Sequence, residues 1–297
     1  MNSFEGSLIE NIGRFKDILK NYRDEIEKKK KSVEHRILSS LKIRRVEIDS
    51  RWHLKILDGK RVVGVDGSQI APLRELGIPI GVIQTAKIWV IHGKGEFGKS
   101  YRTTFIRLEE NIDLKRFQLE LEMLMEEMDG KSWLFFDGSL MPYAVEQSVR
   151  DEYAKIVSKA IELSEKTQTP IIGYIDKSFS KDIARKFGLD IYDTFLLSDV
   201  MDVFSYTQPL GDKICYAYLM VNPSMPVRIE YPEWMKDMHD EIVRIVFAEC
   251  LLGKTRGYPY ILERAHHYSC IDAKARASFM KAVKSYGVSF KWISKIK

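Results

Sequence analysis

The sequence predicts an α/β fold: a mixed five-stranded sheet flanked by helices, with an N-terminal helical extension and a C-terminal α/β elaboration. Three observations carry this expectation. Short apolar, β-branched runs recur from residue 60 onward, separated by stretches of helical periodicity. Two of those runs close on the same three letters, "VVGVDGS" at 62–68 and "WLFFDGS" at 133–139. Ahead of them, residues 4–45 hold no proline and are rich in Glu, Lys, Ile and Leu.

In chain order, residues 4–45 read as helix. Leu8, Ile12, Phe15, Leu19, Tyr22 and Ile26 alternate in steps of four and three, a heptad seam. Two readings of the seam stand level: a helix laid on its own domain, or a contact between two copies. The run Lys28–Lys31 reads as a solvated face. "RVVGVD", "IGVIQTAKIWVIHG" and "SYRTTFIRLE" read as three strands, the last two joined by a glycine-rich turn. Residues 112–128 return to helix, "WLFFD" is a fourth strand, 143–166 a long helix and "TPIIGYID" a fifth strand. Three strands, helix, strand, helix, strand is the order of the ribonuclease H-like fold. There the first and fourth strands are parallel neighbours. Asp66 and Asp137 would then close their strands at one sheet edge, where open α/β sheets bind ligands. Beyond the core, "KICYAYLMV" and "VRIEY" read as an added strand pair, about 233–252 as helix, and Pro259 as the entry to a final helix. No repeat or linker intervenes, so one domain over 1–297 is expected: an extension (1–45), a core (60–190) and C-terminal elements (191–297) that complete the site.

Composition bounds the class. At 45% hydrophobic and 30% charged, the chain can build an ordinary soluble core. Its 47 Lys+Arg against 42 Asp+Glu leave +5, which permits a nucleic-acid partner without demanding one. Cys215, Cys250 and Cys270 form no C-x-x-C pair, so free thiols are expected rather than a disulfide frame or a zinc site. There is no basic-then-apolar start, and no run approaches the ~18 apolar residues of a membrane span. A cytoplasmic protein is expected.

Gly93–Ser100 fits G-x-x-x-x-G-K-[ST] letter for letter. That pattern cradles phosphate when a strand precedes it and a helix follows. Here "YRTTFIRL" follows, aromatic and β-branched, which suits a strand. A hairpin connection is the expectation. A nucleotide hydrolase, through this loop or as an actin-like relative using both Asp-Gly-Ser loops, is the alternative function.

Two carboxylates on adjacent buried strands repel unless a cation lies between them. Hard oxygen ligands suit Mg²⁺ or Mn²⁺, and paired metals cleave phosphodiesters by activating water and stabilising the leaving oxygen. Glycine after each aspartate would leave room for a sugar-phosphate backbone, and the serine would cap the next element or touch phosphate. Plain Asx-turn chemistry is the bland alternative for one such ending; two on apolar strands favour a site. A third carboxylate is expected from the intervening helix. That helix must run away from the site for "WLFFD" to return, which disfavours Glu126 and Glu127. Phe117, Leu121, Leu124, Met125 and Met128 mark its buried face. Glu120 sits nearer that face and is preferred, with Glu122 second.

Taken in order, "VVGVDGS", "LELEMLMEEM" before "LFFDGSL", "IIGYIDKSFS", "PVRIEYPEW" and "GYPYILERAHH" resemble the NurA nuclease family. The resemblance implies a ribonuclease H-like, metal-dependent DNA nuclease that cuts single strands and degrades ends from the 5′ side. It implies Mn²⁺, with Mg²⁺ as the alternative, and a homodimer docked on a HerA-type hexameric ATPase during end resection. On matching positions it implies Asp66, Glu120 and Asp137 as metal carboxylates. It adds Tyr258 to place phosphate or water, and His266 as metal ligand or proton shuttle, with His267 one residue away. Lys177 and Arg228 are implied as phosphate contacts. A structural pair with Glu230 is the equal reading for Arg228. The chain is short for the family, which leaves its substrate preference open. A non-catalytic adaptor is disfavoured, since it has no reason to keep carboxylates beside DNA phosphates.

Overall fold

In the computed structural model, which describes residues 5–71, 80–107, 110–141, 147–254 and 257–285, the apolar strand runs gather into one mixed sheet. The elements are α1 (Leu8–Leu41), β1 (Arg44–Arg45), α2 (Trp52–Leu57), β2 (Arg61–Ile70), β3 (Ile80–Ile91), β4 (Glu96–Arg107), α3 (Ile112–Met125) and β5 (Ser132–Asp137). They continue as α4 (Gln147–Thr167), β6 (Ile171–Ile175), α5 (Asp193–Leu197), β7 (Ser205–Tyr206), β8 (Ile214–Leu219), β9 (Val227–Pro232), α6 (His239–Leu252), α7 (Tyr260–Ser269) and α8 (Ala273–Ser285). Single 3₁₀ turns at Ala184–Phe187 and Glu233–Met238 precede α5 and α6.

The sheet runs β1-β7-β8-β9-β6-β5-β2-β3-β4. The five expected strands form one half of it in the expected order, with β2, β5 and β6 mutually parallel and β3 and β4 antiparallel. The C-terminal pair extends the same sheet, because β9 joins β6 antiparallel and β8 joins β9. Strand alternation then sorts the core into two layers. Val63, Val65, Leu134 and Phe136 face α3 and α4 through Phe117, Leu121, Leu124, Val157 and Ala160. Val62, Phe135, Tyr174 and Ile229 face α6 and α7 through Ile242, Val246, Ile261, Leu262 and Ala265.

The α1 seam divides in two. Ser7 and Glu10 form a reciprocal capping box at its start. From Ile26 to Leu41 the helix lies on its own chain, with Val33 and Ile37 against Ile183, Leu196 and Tyr218. Leu8, Ile12, Phe15, Leu19 and Tyr22 stay about half exposed or more. The solvated-face expectation fails at Lys30, which is buried against Asp199 and the Phe195 carbonyl while its neighbours stay exposed.

Gly98, Lys99 and Ser100 lie inside β4, paired with Trp89, Ile88 and Lys87. Among the described residues, no helix follows them until Ile112. A Cβ at Gly98 would come 2.6 Å from the Trp89 indole, which is why the position is glycine. The letters of a phosphate loop therefore sit in a β-hairpin, and the nucleotide-hydrolase alternative has no geometry to stand on there. The final helix is also divided. It breaks at 270–272, where Asp272 caps α8 through the Ala275 N–H.

Candidate active site

β2 and β5 pair in parallel up to Val65 opposite Phe136, so Asp66 and Asp137 follow as neighbours on one face. Asp137 ends β5 as expected, but Asp66 does not end β2, which runs on beside β3 to Ile70; Asp66 lies where β2 parts from β5. Asp66 is 9% exposed. Its Oδ2 accepts the Ser269 hydroxyl at 2.7 Å and lies 2.9 Å from His266 Nδ1. Asp137 Oδ2 accepts the Tyr258 hydroxyl at 2.6 Å. All three partners belong to the segment around α7, about 120–200 residues away in sequence. His266, not His267, meets the carboxylate; the His267 ring packs on Tyr268 instead.

Glu120 enters from α3 on the other face. A Cβ at position 67 would come 2.4 Å from Glu120 Oε1, so the glycine after Asp66 leaves room for a carboxylate. The sequence reading had assigned that space to a sugar-phosphate backbone; the third acid fills it. Glu122 turns away, accepting from Gln118 at 2.7 Å and lying 3.7 Å from Arg102. Glu126 and Glu127 pair with Lys87, and with Arg102 and Arg61 respectively.

Burial dominates the electrostatics. It pushes Glu120 up to about 8, with Asp66 and Asp137 adding to the rise and Arg116, 3.5 Å away, opposing it. Burial likewise raises Asp137 to about 6, against the Tyr258 hydrogen bond and with help from Asp66 and Asp176. The Tyr258 hydroxyl is held well above the ordinary tyrosine range by burial and by Asp137.

These acids suit a hard divalent cation, which would take the place of the protons that burial otherwise forces on Glu120 and Asp137. Among the described residues no three His, Cys, Asp or Glu side chains are gathered as a ready-made cage. Asp66 and Asp137 are engaged by Ser269, His266 and Tyr258, and a cation would compete with those donors.

Both serines of the Asp-Gly-Ser pair are anchors rather than free hydroxyls. Ser68 Oγ accepts the Ile271 N–H at 3.1 Å, which ties the end of α7 to β2. Ser139 donates to Glu230 at 2.7 Å, and the same Glu230 oxygen accepts the Leu140 and Met141 N–H groups. Arg228 completes that cluster. Its guanidinium is 3% exposed and binds Glu230, Asp182, Ser180 and the Tyr218 hydroxyl. Of its two sequence readings, the ion pair with Glu230 is the one formed. A phosphate contact would require those bonds to break. Arg228→Ala should therefore cost stability, about 3–5 kcal/mol, because it leaves Glu230 buried and unpaired. Thermal melting checks this; an unchanged Tm with weakened DNA binding would restore the phosphate reading. Lys177 is exposed two residues beyond β6.

Sequence reasoning passed over Ser269, Arg116 and Asp176. Ser269 lies three residues after His266 on one helical face, and Asp176 follows a third apolar run as Asp66 and Asp137 follow theirs. Those spacings were legible signals.

The strand order, with Asp66 and Asp137 side by side where the parallel pairing of β2 and β5 ends, defines a ribonuclease H-like α/β fold. A family model, the NurA domain, matches residues 60–271, most of the chain. The chain belongs to the NurA family. No curated protein matches the sequence. Among solved structures it is similar to the NurA nuclease from Sulfolobus solfataricus, at 14% identity and TM-score 0.70, covering 96% of this chain and 98% of that one. It is also similar to a NurA bound to dAMP and manganese, at 14% identity and TM-score 0.54, covering 93% and 96%. A NurA with manganese matches at 12% identity and TM-score 0.55, covering 93% and 98%. These likenesses show a shared fold.

Proposed function

We propose that this chain is a Mn²⁺-dependent DNA nuclease, with Mg²⁺ as the alternative ion. The observation that carries the reading is the pairing of Asp66 and Asp137 on one face where β2 parts from β5, with the buried Glu120 beside Gly67 from the other face. Membership of NurA supports it, as do a relative solved with dAMP and manganese and another with manganese alone. When bound, the ion supplies an activated water and charge stabilisation at the leaving oxygen. Asp66, Glu120 and Asp137 would hold it. Tyr258 orients Asp137, while Ser269 and His266 orient Asp66. The His266 imidazole, 68% exposed, is open to solvent and suited to carry a proton to or from the reacting oxygens. Lys177 contacts phosphate. The chain acts as one unit, since its C-terminal part supplies Tyr258 and His266.

The finer reading follows the family: 5′-to-3′ exonuclease and single-strand endonuclease activity on cytoplasmic DNA ends, with a HerA-type hexameric ATPase, in double-strand break repair. Cleavage of 5′- and 3′-labelled oligonucleotides with Mn²⁺, Mg²⁺ or EDTA tests the chemistry and its direction. Absence of cutting with every metal, alone and with such an ATPase, would refute it. A homodimer is part of the proposal, supported by the uncovered seam from Leu8 to Tyr22. Light scattering should give about twice 34.5 kDa, and a monomer mass at working concentration would count against it.

Gly67→Ala isolates the third carboxylate. The added methyl meets the far end of the Glu120 side chain, which can move, and the Arg116 stem. Tm should change little while cleavage falls roughly 10–100-fold, the usual cost of disturbing a metal site's support. Wild-type cleavage by this variant would remove Glu120 from the site.

A further inference from the structure

The proposed chemistry leaves one surface next to it unused. Residues two apart on a strand share a face, so Phe97, Lys99, Tyr101, Thr103, Phe105 and Arg107 lie together on β4. Gly98 against Trp89, and Ile106 against Leu119, place the alternate residues on the α3 side. The first set therefore faces the α7 side, the side of Asp66. Phe97, Tyr101 and Phe105 are 67%, 49% and 67% exposed. Three such rings along one edge strand are costly to leave in water without a partner.

Position ties this row to the carboxylates. Tyr101 pairs with Ala86, and Ala86 pairs with Asp66. Tyr101 thus stands two strand spacings, about 10 Å, from Asp66 on the same face. Its ring meets Tyr268 of α7 edge-on, with centroids 6.4 Å apart. Lys99 Nζ lies 4.3 Å over the Tyr268 ring and the Arg264 guanidinium 5.2 Å from it. Tyr268 stands between His266 and Ser269, both bonded to Asp66. Phe105, four residues beyond Tyr101, carries the row about 14 Å further.

We propose that this face of β4, with Tyr268, is a stacking platform for the unpaired bases of a DNA strand whose scissile phosphate lies at Asp66. The inference rests on the nuclease reading and adds to it the surface that selects single strands. Aromatic rings accept any base by stacking, and interleaved cations track the backbone. An apolar protein partner fits less well, because Lys99, Arg107 and Arg264 would be desolvated beside it without acids. Pairing of β4 with its own copy is disfavoured by lysine and arginine along the edge.

The test is binding in EDTA, where no cleavage is needed. Fluorescence anisotropy would compare a labelled oligo-dT of about 20 nucleotides with a blunt duplex of equal length, using wild type, Tyr101→Ala/Phe105→Ala and Tyr101→Phe. Removal of the two rings should weaken single-strand binding about ten-fold or more, shift duplex binding less than about two-fold, and leave Tyr101→Phe near wild type. Unchanged single-strand affinity, an equal loss on both DNAs, or an altered oligomeric mass in the double variant would each overturn the platform. A wild type that binds but never cleaves would instead defeat the nuclease function, and the binding comparison would still decide this surface.

Discussion

Asp137→Asn should abolish Mn²⁺-supported cleavage, by roughly a thousand-fold or more, while raising the melting temperature of the metal-free protein. The loss follows from removing one carboxylate of the proposed metal-holding set, whose ion would supply several kcal/mol at the transition state. The gain follows from burial. Asp137 ionises near 3.8 in the unfolded chain and at about 6 in the fold, so above pH 6 its charge opposes folding. The asparagine removes that charge and can still accept the Tyr258 hydroxyl. A shift of this size corresponds to about 1–3 kcal/mol. Activity and stability thus move in opposite directions, which a merely misfolded variant cannot reproduce. An active variant would sink the site. An inactive one with a lowered Tm would mean a structural role for Asp137. Asp66→Asn should be equally inactive, since Asp66 supplies the neighbouring carboxylate on the same face.

The second large effect is a metal-dependent stability profile set by Glu120. Its unfolded pKa is 4.5 and its folded value about 8. Between these values the folded protein holds a proton that the unfolded chain has released. The contribution of Glu120 to the stability of the metal-free protein is therefore full below about pH 4.5 and is lost as pH rises towards 8. The total is on the order of a few kcal/mol. Mn²⁺ competes with that proton, so its stabilising effect should be small at pH 5 and large at pH 8. Calorimetric melts with Mn²⁺ or EDTA at the two pH values measure this. Glu120→Gln should flatten the metal-free profile and remove most of the Mn²⁺ gain. Equal Mn²⁺ shifts at both pH values would mean that Glu120 is not where the ion binds.

Much of this architecture is local in origin. β2 and β5 each carry an apolar run that reaches Asp-Gly, and the order of strands and helices leaves few arrangements in which they are not parallel neighbours. The hairpin reading of Gly93–Ser100 likewise followed from the β-branched run after it, against the letters of the motif. The preference for Glu120 over Glu122 came from helical periodicity, and the structure points those two side chains at Gly67 and at Arg102 respectively.

What the sequence by itself determined was the core strand order, the shared edge for Asp66 and Asp137, and the helix that carries Glu120. Those follow from periodicity, turn chemistry and connection rules, all of which act over short separations. Only the tertiary structure decided that Gly67 makes room for Glu120 and that Arg228 is spent on Glu230. It likewise decided that Ser269 and His266 grip Asp66 while Tyr258 grips Asp137. The added strands joining the core sheet, and the exposure of Tyr101 and Phe105 beside α7, belong to the same group. Most of these side-chain partnerships cross between elements that are distant in the chain. Burial, not local pattern, sets both their geometry and their charge.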